Sequence, residues 1–112
     1  MSELYSRAEA LERLGGDMEL FKNLTRLFIE ESAAYCSALE HALAGSDMAA
    51  LQREAHSVKS MLATFSFEKG RELAMRLEHL AAAGNPDGVA SLTAEVVAAI
   101  RQLAEALSGE TA

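Results

Sequence analysis

Hydrophobic positions along the chain recur at three- and four-residue steps, broken at a few short polar or glycine-containing points. Gly15-Gly16, Gly45-Ser46-Asp47, a weaker break near Ser66, and Gly84-Asn85-Pro86 divide it into one short and four longer segments. The short segment predicts a helix over 6–14. The second begins at Asp17, a good N-cap, and runs to Ala44. Its stripe comprises Leu20, Leu24, Leu27, Phe28, Tyr35, Leu39 and Ala42, with Ile29, Cys36 and Leu43 as a second row. Glu31 falls inside the first stripe, where nothing in the pattern accounts for it.

The third helix follows a Ser46/Asp47 cap and continues to Phe65, with Met48, Leu51, Ala55, Val58, Leu62 and Phe65 inward. The fourth covers 67–83 around Leu73, Leu77 and Leu80, with Gly84 as the residue that ends it. Asn85 caps the fifth, and Pro86 stands in its first turn. Val89, Leu92, Val96, Ile100, Leu103 and Leu107 form its stripe. Short connections between long amphipathic helices imply antiparallel neighbours. The expected fold is therefore all-α: an antiparallel up-and-down four-helix bundle with a short additional N-terminal helix, in one domain over 1–112.

Composition narrows the function. Ten Lys and Arg against seventeen Asp and Glu give a net charge of −7, which argues against nucleic acid and anionic membrane as partners. The single cysteine, Cys36, excludes an internal disulfide and reads as packing. There is no apolar run of the ~20 residues a membrane span needs, and the N-terminus has no signal-peptide pattern. A cytoplasmic, monomeric protein is expected. His41 suits a helix C-terminus, His79 reads as surface, and no pair of residues has metal-ligand spacing. The chain has no Gly-rich phosphate loop, so a phosphoryl group would have to come from another molecule.

The stretch "AHSVKS" at 55–60 carries the candidate chemistry. At about 100° per residue, His56 lies roughly 140° from the centre of the apolar stripe, facing solvent. Ala49, Gln52, Arg53, Lys59, Ser60 and Ala63 share its side. Neutral imidazole is a competent nucleophile near neutral pH. An ammonium group one turn away would offset the charge of a phosphoryl group attached to it. Exposed histidines near lysines are nevertheless common on solvated helices, and this spacing alone does not separate the two readings.

The chain as a whole resembles the histidine-containing phosphotransfer domain of bacterial two-component phosphorelays. The resemblance is carried by "RLGGD" entering the second helix, "GSDMAAL" opening the third, "AHSVKS" at the centre, and "RLE" near the end of the fourth. It implies that His56 is the phosphoryl acceptor and Lys59 the phosphate-stabilising residue. It implies receiver domains of hybrid sensor kinases and response regulators as partners. It implies no cofactor of the chain's own, Mg²⁺ being supplied by the receiver, and a phosphoryl carrier rather than an enzyme. Gln52, Arg53, Ser60, Ala63 and Lys69 are candidate phosphate- or partner-proximal residues. Lys69 is equally readable as a solvated charge, and Arg53 reads as a rim contact or solvated charge rather than a phosphate ligand.

Three positions depart from the family pattern: Ser60 and Ser66 stand where glycine is usual, and Gly70 where leucine is usual. Ser66 is expected to cap the fourth helix. Gly70 is expected to weaken it by up to ~1 kcal/mol relative to alanine. The alternative function is a bundle that binds a receiver or kinase without transferring phosphate.

Overall fold

The computed structural model describes residues 4–111. The first three residues and the last of the expected 1–112 domain lie outside the described residues. Five helices follow one another: α1 (Arg7–Arg13), α2 (Met18–Ala44), α3 (Met48–Thr64), α4 (Glu68–Ala82) and α5 (Val89–Thr111). α2 packs on α3, α3 on α4, α4 on α5 and α5 back on α2, closing a four-helix ring. No strand occurs among the described residues.

The caps act largely where the sequence puts them. Ser6, Asp17 and Asp47 accept hydrogen bonds from the backbone N–H of Glu9, Leu20 and Ala50, satisfying donors at the starts of α1, α2 and α3. At the end of α4, Gly84 has φ +66°, and the Asn85 N–H reaches back to the Leu80 carbonyl at 3.1 Å.

The fifth helix starts later than expected. Asn85 does not cap it: its side-chain oxygen accepts from the Asp87 N–H within a turn, and Gly88 turns the chain at φ +81° before Val89. Ser66 is not a cap either. It sits at φ +54° and is buried, with its hydroxyl accepting from Arg13 Nε at 3.0 Å. A positive φ is a position glycine adopts at no steric cost, which accounts for glycine as the usual residue there. Here the bond to Arg13 attaches α1 to the α3–α4 turn. At that end Ala10 is fully buried, and the Arg7 guanidinium stands 5.8 Å from the centroid of the Phe21 ring.

The apolar stripes of α3 and α5 face the core as expected: Leu51, Ala55, Val58, Leu62 and Phe65 on one, Val89, Val96, Ile100, Leu103 and Leu107 on the other. The N-terminal half of α2 does not. Leu20 and Leu27 are 39% and 46% exposed, and Leu24 is half-buried. Phe21 and Thr25 point inward in their place, while Phe28 and Leu39 of the expected stripe and Cys36 of the second row are buried as expected. The reason is that α2 contacts α3 on one flank and α5 on the other. Phe21 and Phe28 meet the Phe65 ring edge-on at 6.1 and 5.5 Å, while Cys36 reaches the Val97 carbonyl of α5. Glu31 is exposed, so the anomaly of a carboxylate in the stripe disappears with the corrected phase.

Gly70 is also corrected. A Cβ built on it would lie 2.8 and 2.9 Å from two atoms of the Phe67 ring and 3.0 Å from Leu62 Cδ1. The Phe67 ring fills the space that a side chain at position 70 would enter. Gly70 is thus required by packing, whatever its cost in helix propensity.

Candidate functional site

The Asp47 cap starts α3, and the burial of Leu51, Ala55, Val58 and Leu62 sets its rotation. That rotation turns His56 to the surface with 60% of its side chain exposed. Lys59, one turn on, is tucked in further, at 26%. The chain then reverses through residues 65–67, and α4 runs back along α3. Its buried row of Gly70, Ala74, Leu77 and Ala81 directs Glu78 toward α3.

Glu78 is the residue that completes the site. Its Oε2 is 2.6 Å from His56 Nδ1, and its Oε1 accepts from Lys59 Nζ at 2.6 Å. Its side chain is 14% exposed. The hydrogen bond from Lys59 is the main cause holding the carboxyl below the ordinary glutamate range; burial opposes it, and the His56 bond and the charges of both partners reinforce it. Glu78 is therefore ionised at neutral pH.

An ionised carboxylate can only accept, so His56 Nδ1 must be the donor. The neutral ring then has its lone pair on Nε2, the nitrogen left for chemistry. One carboxylate orients the imidazole, selects its tautomer and holds a cation beside it. The triad of a hydrolase uses a carboxylate on imidazole in the same way.

The other candidate residues divide. Gln52, Arg53 and His56 line one cleft with Ala49, Ser57 and Glu78. Ser60 donates to the His56 carbonyl at 3.3 Å from within α3, and Ala63 is half-buried on the same helix. Lys69 does not join this group: it lines a separate cleft with Leu4, Tyr5, Ser6, Glu9, Ser66 and Glu68. His79 is exposed beside Arg76, Leu80 and Leu92 in the groove between α4 and α5, and Cys36 is buried with its thiol pushed up by burial. Among the described residues, no group of three or more His, Cys, Asp or Glu side chains could hold a metal ion, and no helix is long and apolar enough to cross a membrane.

Glu78 was visible in the sequence only as the last letter of "RLE". A signal was available. His56 precedes the α3–α4 turn by about as many residues as Glu78 follows it, so an antiparallel hairpin brings the two level. What could not be read was the angle at which α4 presents its carboxylate.

Comparison with known proteins gives the family and the fold. The family model for the Hpt domain matches residues 23–110. Among solved structures, the crystal structure of histidine-containing phosphotransfer protein B (HptB) from Pseudomonas aeruginosa PAO1 superposes with a TM-score of 0.86, covering 98% of this chain and 96% of that one at 21% identity. At that identity the likeness is one of fold. No curated protein matched the sequence.

Proposed function

Since the chain belongs to the Hpt domain family, and so to the phosphotransfer proteins of two-component signalling, we propose that it is a phosphorelay intermediate: His56 accepts a phosphoryl group from a receiver-domain aspartate and passes it to another receiver. The observation that carries this reading is the Glu78 carboxylate on His56 Nδ1, which leaves an exposed Nε2 lone pair.

In the forward step the Nε2 lone pair attacks the phosphorus of an aspartyl phosphate. The Nε2–P bond forms, the acyl O–P bond breaks, and the aspartate leaves as a carboxylate. The ring keeps its Nδ1 proton and becomes a phosphorylated imidazolium, whose positive charge Glu78 faces at hydrogen-bond distance. Return transfer to a second aspartate is the same step reversed. The protein needs no nucleotide of its own for this, and the Mg²⁺ belongs to the receiver.

The receiver docks over the exposed face of α3 centred on His56. The margin of α2 supports that placement. Contacts from Phe21 to Phe65 and from Tyr35 to Met61 pack α2 on α3, and α2 carries Leu20 and Leu27, the exposed large apolar side chains among the described residues. A polar centre on α3 with a modest apolar contribution from α2 suits a transient interface of about 1,200 Å² or less.

The test is incubation of the purified chain with a labelled, phosphorylated receiver domain. Acid-labile, base-stable label is expected on the wild-type chain and none on His56→Gln. Full labelling of His56→Gln would remove His56 from the role.

A further inference from the structure

Lys59 is the cation one turn from His56, yet in the unphosphorylated protein it is already engaged. Its ammonium lies 2.6 Å from Glu78 Oε1, and the other oxygen of the same carboxylate is on the imidazole. Both oxygens of Glu78 are therefore in use. The pair is shielded, since Lys59 is 26% and Glu78 14% exposed, so its attraction is screened less than that of a surface pair. An added phosphoryl dianion on Nε2 would bring a second anion within reach of the same ammonium group.

We infer that Glu78 competes with the phosphoryl group for Lys59, so that each phosphorylation of His56 is coupled to an exchange of Lys59 from carboxylate to phosphate. This inference rests on the proposed function and adds a regulatory property to that site. The exchange sets how strongly the chain holds its phosphate. The carboxylate stabilises the empty state by pairing with Lys59. In the loaded state it still faces the imidazolium charge, but it also repels the phosphate and retains part of the hold on the cation. The phosphohistidine is thereby kept less stable than a freely available lysine would make it. A carrier that must give up its group to the next receiver is served by that arrangement, because a phosphate held too firmly is not passed on. Arg53, on the exposed side of the same cleft, has no such competitor placed on it among the described residues and is left to meet the receiver.

The experiment is a double-mutant cycle read as an equilibrium. A receiver domain that exchanges phosphate with the wild-type chain serves as the probe, and the ratio of phosphorylated chain to phosphorylated receiver is measured after the reaction stops changing. Four proteins are compared: wild type, Glu78→Gln, Lys59→Met and the double variant, each checked for folding by helical circular dichroism. Glu78→Gln should shift the ratio toward the chain by about fivefold more when Lys59 is present than when it is replaced. Glu78→Ala should give the same Lys59-dependent sign; it covers the cases in which the glutamine amide turns its NH₂ toward Nδ1 or the glutamine variant does not fold. Equal shifts with and without Lys59, or a Lys59-dependent shift toward the receiver, overturn the exchange. Absence of any labelled His56 in the wild type would instead overturn the proposed function itself, so the two failures are distinct.

Discussion

Gly70 lies so close beneath the Phe67 ring that an added methyl group would come within 2.8 Å of it. Phe67 is 2% exposed, and Leu62 Cδ1 would lie 3.0 Å from the same methyl group. Helix propensity alone favours alanine over glycine by ~1 kcal/mol. Packing reverses the sign. Gly70→Ala is expected to destabilise the protein by about 1–3 kcal/mol in a urea titration. A rise in stability would show that the ring is free to move.

Leu62 and Ser60 test the rotation of α3. Leu62 is fully buried, and Leu62→Ala should cost about 2–5 kcal/mol. Ser60 is exposed beside His56. Ser60→Trp should leave the melting temperature nearly unchanged and block phosphotransfer from the receiver. The opposite pattern would place His56 on the wrong face.

Lys59→Ala should slow transfer and shorten the life of the phosphohistidine. Its effect on the fold should be small, about 1 kcal/mol or less, as a single partly exposed ion pair is removed. Labelling time courses beside thermal melts separate the two effects. Unfolding of the variant at room temperature would contradict the partly exposed position of Lys59.

The pH dependence follows from Glu78. Its folded-state pKa is lowered below the ordinary value of 4.5, chiefly by the Lys59 bond. A lowered folded pKa gives stability that is fully present above the unfolded value and is lost as pH falls through the folded one. Wild type should therefore exceed Glu78→Gln in stability at neutral pH. The gap should begin to close below 4.5 and vanish at still lower pH. Paired denaturant titrations across that range measure it; a gap independent of pH would exclude the charge as its origin.

Thr93 is buried in the inner face of α5, and its hydroxyl has no hydrogen-bond partner. An unpaired buried hydroxyl is a cost, so Thr93→Val is expected to raise stability by about 1 kcal/mol. A loss of stability would mean that the hydroxyl has a partner in solution. The Thr25 hydroxyl of α2 is in the same condition.

What the sequence determined by itself was local. Asp17 and Asp47 define helix starts because a side-chain oxygen two or three residues from an unpaired N–H satisfies it whatever the rest of the fold does. Gly84 defines an end because it takes a positive φ freely. The rotation of α3, and with it the exposure of His56, was legible because that helix has one apolar stripe and a single way to bury it. Tertiary structure decided whatever depends on which neighbour lies where. α2 has apolar residues on two flanks, and only the placement of α3 and α5 chose Phe21 and Thr25 over Leu20 and Leu27. Ser66 passed from cap to buried anchor because Arg13, far away in the chain, arrives at its hydroxyl. Glu78 became part of the site for the same reason: side-chain direction within a helix follows from its period, but the meeting of His56, Lys59 and one carboxylate requires two helices to be packed at a particular depth and angle.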